Sequence, residues 1–231
     1  MTTATTTYPP ELVRALEAVT GDGKHKVSSM STLDVLWVLY DRVLDVRPST
    51  IDDPDRDRFL LSKGHGPAAF YAVLAAKGFI PEPWLPEMGE WTSRIGYHPD
   101  RTLVPGVEIG SGSLGHGLGL GVGTALGLRA QGLTRPRVVV LVGDAELDEG
   151  SNHEAIAYAG ATGLDSLTVV AVDNQSATHG WPGGIASRFT VNGWAAATVD
   201  GRDHDALELA LKQRSPGRPN VVVAVVEQKG R

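Results

Sequence analysis

VVVLVGDAELDEG, residues 138–150, joins an unbroken apolar run to four carboxylates, Asp144, Glu146, Asp148 and Glu149. A run of valine and leucine without polar alternation reads as a strand buried on both faces, as in a parallel sheet covered by helices. LTVVAV (167–172) and VVVAVV (221–226) have the same character, and AAATVD (195–200) reads as a further strand. Ser151–Ala161 and Asp205–Gln213 between them carry helical spacing. This alternation predicts an α/β fold: a central, mostly parallel, doubly wound sheet with helices on both faces and extra N-terminal helices.

Upstream, Glu11–Val19 puts Leu12, Leu16 and Val19 on one helical face. A second helix is predicted from Ser31 as N-cap, with Asp34 at its third position, through Leu33, Leu36, Trp37 and Tyr40. Residues 47–57 form a polar loop, 58–61 a short apolar run, and 68–76 a helix. The stretch 81–105 is rich in Pro and Trp and reads as a long irregular loop, a common home for function. From Ser113 to Gln131 the residues are small and apolar, and several are glycine. Each glycine costs about 1 kcal/mol of helix propensity relative to alanine, so a helix here implies close backbone approach to the sheet. Residues 1–9 are polar and expected to be disordered, leaving 10–231 as a single domain.

The totals narrow the function. A hydrophobic content of 42% and a charged content of 21% suit an ordinary soluble domain. A net charge of −6 with no Lys/Arg run speaks against a nucleic-acid partner. No cysteine is present, which removes thiol nucleophiles, disulfides and thiolate metal sites. No signal-peptide core stands at the N-terminus, and no apolar run approaches the roughly 18 residues of a membrane span. A cytoplasmic protein without a membrane partner is expected.

In open parallel sheets, ligands bind at the carboxyl ends of the strands. Gly143-Asp144 ends one strand, and Asp173-Asn174 ends the next, thirty residues on from Asp144 to Asn174. That is the length of one βαβ unit, so adjacent strands would bring a carboxylate and an amide oxygen together. With a nearby backbone carbonyl, such as that of Ser176, they make a hard oxygen site for Mg2+ or Ca2+. Magnesium held by few protein ligands keeps positions for water and phosphate, so the pair predicts a metal-bridged phosphate ligand. A strand-end aspartate is equally a common turn or N-cap residue. Glu146 and Asp148 read by themselves as acids favoured by the dipole of the following helix.

GDAELDEGSNHEA, thirty residues before Asn174, resembles the thiamine-diphosphate motif of the transketolase family. RFLLSKGHGPAAFYAVLAAKG, YHPD (97–100), PGVEIGSGSLGHGLGLGVGTALG and RFTVNGWAAATVDGRDHDALELAL resemble further family segments, in family order over residues 10–230. The resemblance implies thiamine diphosphate and Mg2+ (or Ca2+) as cofactors, with Asp144, Asn174 and the Ser176 carbonyl as metal ligands. It sets Gly143, Asp144, Ala145, Glu146 and Asn174, and the turn Gly112-Ser113-Leu114, against the cofactor. His25, His65 and His98 match active-site histidines, His116 stands where the family often has Gln, and Glu149 matches an acid coupling to the cofactor-activating glutamate across a subunit interface. Three departures stand out: Ala145 for Gly in the motif, KHKVSS in place of glycines around His25, and QSATHG after Asn174.

Family enzymes carry that glutamate on a second domain, whereas EQKGR here follows directly on the last strand. The resemblance therefore implies the N-terminal subunit of a split transketolase. Such a chain would act with a separate C-terminal subunit carrying the pyrimidine domain, as a heterotetramer of two copies of each. The activity implied is transfer of a two-carbon ketol unit between sugars or sugar phosphates. The motif also resembles 2-oxo acid decarboxylating enzymes of the pyruvate type, and a non-catalytic cofactor-binding scaffold is a third reading.

Overall fold

A computed structural model of the protein describes residues 8–19, 29–64 and 67–228. Its centre is a five-stranded sheet: β1 (Arg58–Leu61), β2 (Val138–Gly143), β3 (Leu167–Asp173), β4 (Ala195–Asp200) and β5 (Asn220–Val225). The strand order is β1-β2-β3-β5-β4, and every pairing is parallel. Around it lie α1 (Pro10–Ala18), α2 (Leu33–Val38), α3 (Pro67–Ala76), α4 (His116–Ala130), α5 (Gly150–Ala161), α6 (Gly184–Thr190) and α7 (His204–Lys212).

The central strands β2, β3 and β5 are almost wholly buried because each face meets a different core, whereas the edge strand β4 alternates half-buried and exposed residues. Phe59, Val139, Leu141, Val170, Val172 and Val222 turn to one side, where they pack with α1, α2, α3 and α7. Leu60, Val138, Val140, Val169, Ala171 and Val221 turn to the other and pack with α4, α5 and α6. Successive residues of one strand thus feed opposite cores, which is the period-two pleat with both faces covered. Helices α5 and α6 follow strands that advance across the sheet, whereas α7 links β4 back to β5. Right-handed crossovers then put α7 on the opposite face, as found. The doubly wound expectation is met.

Differences from the sequence reading are local. The run 58–61 is a full edge strand in register with Val138–Leu141. The segment 184–190, which the sequence reading passed over, is α6. The helix expected from Ser31 starts instead after Thr32, which makes no side-chain cap, and passes into a π turn at Leu39–Val43. Asp34 is not an exposed first-turn acid. It is 2% exposed and accepts hydrogen bonds from Tyr8 Oη (2.8 Å), His204 Nε2 (2.7 Å) and Arg202 Nη1 (2.5 Å). Burial pushes its carboxyl up, but the bonds from His204, Tyr8 and Arg202 outweigh burial and hold it below the ordinary aspartate range. Asp34 therefore ties the N-terminal segment to the loop between β4 and α7. Among the described residues no helix is long and apolar enough to cross a membrane.

The glycines of α4 divide into two kinds. A β carbon on Gly117 would stand 2.3 Å from Ser62 Cβ, and one on Gly121 would stand 2.4 Å from Val140 Cγ2. These two let the helix lie against the sheet, as the sequence implied. Gly119, Gly123 and Gly127 would meet nothing within 4 Å, so close approach to the sheet does not explain them. Gly121→Ala should destabilise the chain by about 1–3 kcal/mol through overpacking. Gly123→Ala should stabilise it by up to about 1 kcal/mol through helix propensity and a less flexible unfolded chain. Urea unfolding of the two variants checks both signs.

Candidate functional site

β1, β2 and β3 end on the same edge of the sheet, and the chain beyond each end gathers the site. Asp144 follows β2 and lies one position past the Gly143–Val172 pairing, beside the end of β3. Its amide donates to Val172 O at 3.0 Å. Its carboxylate is 4% exposed and surrounded by donors: Ser176 N (2.6 Å) and Ala177 N (3.2 Å) to Oδ2, Ser176 Oγ (2.6 Å) and Ala145 N (2.8 Å) to Oδ1. Asn174 directly follows β3 and is 2% exposed, and its Oδ1 has no hydrogen-bond partner. A buried carbonyl-type oxygen without a donor costs free energy unless something electropositive faces it. An amide oxygen so placed beside a buried carboxylate suits a hard divalent cation. Among the described residues no group of three or more His, Cys, Asp or Glu could hold a metal. A cation here would therefore have few protein ligands and take further oxygens from water or phosphate. Ser176 meets Asp144 with its N–H and hydroxyl; its carbonyl takes no part in that contact.

Glu146 requires the clearest correction. It is not an exposed first-turn acid. At 2% exposure, its Oε1 accepts from Gly115 N (3.1 Å) and from the Ser62 hydroxyl, and its Oε2 from Gly143 N (3.3 Å). Ser62 Oγ in turn accepts from Gly117 N at 3.0 Å, and Asn152 Nδ2 donates to Glu146 O at 2.6 Å. Burial raises the Glu146 carboxyl above its ordinary range; the bonds from Ser62, Gly115 and Gly143 and the charge of Lys63 oppose this only in part. One side chain thus joins the ends of β1 and β2 to the start of α4. The helix expected over Ser151–Ala161 runs from Gly150 to Ala161, and a 3-10 turn over Ala145–Asp148 precedes it.

The loops from elsewhere stack on one another. Gly112 has φ +118°, and a β carbon on it would stand 2.9 Å from His98 Cγ. One on Gly64 would stand 2.8 Å from Gly112 Cα. His98 Nδ1 lies 3.1 Å from Gly64 O, so that nitrogen carries the proton and Nε2 is the acceptor in the neutral ring. Gly64, His98 and Gly112, from three separate segments, are thereby brought together. Ser113, Leu114 and His116 are exposed, with His116 Nδ1 within 3.0 Å of Ser113 Oγ and 3.1 Å of Leu114 O. Glu149 is exposed at the head of α5 and makes no capping bond; its Cβ packs against Gly115, which has φ +81°. His25 and His65 lie outside the described residues.

Sequence reasoning missed the anchors of the loop after Asn174. Asp148 Oδ2 accepts from His179 N at 3.2 Å. Arg188, 6% exposed, lies 4.8 Å from the Trp181 ring and 2.5 Å from His153 Nε2. Burial and the Arg188 charge hold His153 below its ordinary pKa, so it meets the guanidinium as an acceptor. No local signal joins residues 153, 181 and 188.

An all-parallel sheet with oxygen ligands and glycine turns at its carboxyl edge is the architecture of a phosphate-bearing cofactor domain. The family model for the transketolase thiamine diphosphate binding domain matches residues 12–226, and the chain belongs to that family. It is 52% identical over 95% of its length to a Rhodococcoides fascians protein named "Ferredoxin fas2", of which it covers 72%. With no cysteine, this chain has no thiolates for an iron–sulfur cluster, so nothing in it answers to that name. It is 36% identical to an apulose-4-phosphate transketolase subunit from Actinobacillus succinogenes, over 90% of this chain and 78% of that protein. The solved transketolase of Leishmania mexicana superposes with a TM-score of 0.77 at 25% identity; the match covers 93% of this chain and 35% of that one. The chain spans about a third of that solved enzyme.

Glu146 yields a pH prediction. A carboxyl with a raised pKa in the folded state contributes stability that is fully present below its unfolded value and is lost as pH rises through its folded value. Glu146→Gln should flatten that decline in denaturant unfolding measured from about pH 4 upward. Glu146→Ala, which leaves three buried donors without their acceptor, should cost roughly 3 kcal/mol or more.

Proposed function

We propose that this chain binds thiamine diphosphate through a divalent ion, Mg2+ by preference, at the ends of β2 and β3. In this reading it is the N-terminal subunit of a two-component transketolase that transfers a two-carbon ketol unit from a ketose or ketose phosphate to an aldehyde or aldose. The observation that carries the reading is the buried Asn174 Oδ1, unpartnered beside the buried Asp144 carboxylate. Few protein ligands and a phosphate-bearing cofactor suit magnesium. When bound, the cofactor supplies the electron sink for breaking the bond next to the ketose carbonyl.

The chain's own residues have separate tasks. Asp144 and Asn174 hold the ion, and Ser176 completes its protein ligands by turning its carbonyl inward. Gly112, Ser113 and Leu114 border the aminopyrimidine ring. Glu146 acts from behind, holding Gly115 and Gly143 in place. His98 presents Nε2 to substrate hydroxyls with its other nitrogen fixed on Gly64 O, and relays protons there with His25, His65 and His116. Glu149, exposed and uncapped, faces the partner and couples to its cofactor-activating glutamate.

A separate partner subunit is supported by the name of the Actinobacillus relative, which describes one subunit of a transketolase; in this reading the partner carries the pyrimidine domain and the assembly is a heterotetramer of two copies of each. That name also favours sugar phosphates as substrates. In this reading the protein works in the cytoplasm.

Asp144→Ala should weaken magnesium-dependent binding of thiamine diphosphate more than about tenfold, read by calorimetry. Unchanged binding would remove the metal role. The chain reconstituted with the one encoded beside it should consume xylulose 5-phosphate. Turnover of pyruvate instead would replace the ketol-transfer reading by 2-oxo acid decarboxylation.

A further inference from the structure

Arg188, on α6, is 6% exposed, a burial that a guanidinium tolerates only where its donors are met. Among the described residues its one hydrogen-bond acceptor is His153 Nε2 of α5, at 2.5 Å. Its Nε is buried without a partner, and Asp148 Oδ1 stands 3.9 Å from Nη1, beyond hydrogen-bond reach. Trp181 packs over the pair, its ring centre 4.8 Å from the guanidinium and 5.6 Å from that of His153. Trp181 lies on the loop after β3, and upstream on that loop Ser176 and Ala177 donate to Asp144. The loop therefore hangs between the Asp144 carboxylate at one end and the Arg188–His153 pair at the other. Between them Asp148 accepts from the His179 amide at 3.2 Å.

Only a neutral imidazole can accept the bond from Arg188, because both nitrogens of the charged ring are donors. Protonation leaves the buried guanidinium without its acceptor and sets a second positive charge against it. We propose that His153 is a positioning residue for the candidate cation site: its neutral ring seats Arg188 and Trp181, and with them the loop 175–183 that holds Asp144, and protonation releases that loop. The charged groups acting on the ring are Arg188 from α6 and Asp148 from the turn before α5. His179, the other titratable group of the loop, meets Asp148 through its amide, and Glu149 and Glu154 beside His153 are exposed. Burial and Arg188 outweigh Asp148 and hold the ring below the ordinary histidine range. With its folded pKa depressed, the histidine contributes fully above about pH 6.5, and the contribution is lost as pH falls. The effect on the loop stands by itself; the effect on cofactor binding rests on the thiamine diphosphate reading.

Hydrogen exchange over 175–183 in the full chain, corrected for the intrinsic effect of pH, reads the loop without any ligand. Its protection in the natural chain should drop at least about threefold between about pH 7.5 and about pH 5.5. His153→Gln, whose amide oxygen accepts without titrating, should keep its protection across that range; His153→Asn is the second such variant should the first not fold. His153→Leu, with no acceptor, should show the low protection at both values. Magnesium-dependent affinity for thiamine diphosphate is then measured for the chain together with the one encoded beside it. The natural chain and His153→Gln should agree near about pH 7.5, and the variant should bind at least about threefold more tightly near about pH 5.5. Comparing two chains at one pH cancels the titration of the ligand. Parallel exchange profiles for the natural chain and His153→Gln would overturn the role of His153, and so would a loss in His153→Gln that is equal at every pH. If the natural chain does not bind thiamine diphosphate, the cofactor reading fails, and the exchange profiles still decide the role of His153.

Discussion

A single buried carboxylate, Glu146, sets the geometry on which the cofactor edge depends. It accepts from Ser62 just past β1, from Gly115 at the head of α4 and from Gly143 at the end of β2, three donors far apart in the chain. Each donor is a small group, a serine hydroxyl or a glycine amide, so the three segments approach closely with no bulky side chain between them. The arrangement is costly, since burial disfavours the ionised form. Such a cost is tolerated where it holds backbone in a defined place, as it does under Gly115 and Gly143.

The same economy of donors governs the metal edge. Asp144 is held by the loop that follows Asn174, through two amides of that loop and the Ser176 hydroxyl. That loop is pinned further out by Asp148 at His179 and by the stack of Trp181 on Arg188. The candidate ligands are therefore positioned from two directions: by strand register at Asp144 and Asn174, and by side-chain contacts of α5 and α6 at the far end of the loop. Glu149 and the Gly112–His116 turn, by contrast, face outward, where another chain or a substrate can reach them.

Much of this was legible in the sequence. Runs of valine at βαβ spacing announce parallel strands, because only a strand covered on both faces lacks polar alternation. That Asp144 and Asn174 stand at the ends of neighbouring parallel strands followed from the same spacing, whereas the contact of His98 with Gly112 did not. The roles of Glu146 and Asp34 and the burial of Lys63 were not legible. An acid two residues past a strand looks alike whether it faces water or three buried amides, and Lys63 follows an apolar run that offered no periodicity to judge it by. The glycines of α4 were half legible: Gly117 and Gly121 approach the sheet, and Gly123 does not.

By itself, then, the sequence determined the element types, the parallel sheet, the family and the strand ends at which Asp144 and Asn174 stand. These depend on local pattern and on separation along the chain. Only the tertiary structure decided which acids are buried, that Ser176 meets Asp144 with donors, and that Lys63 is buried. Those outcomes depend on which distant backbone groups surround a side chain and how much water they exclude. That is a property of packing between segments far apart in sequence, to which neither hydropathy nor spacing has access.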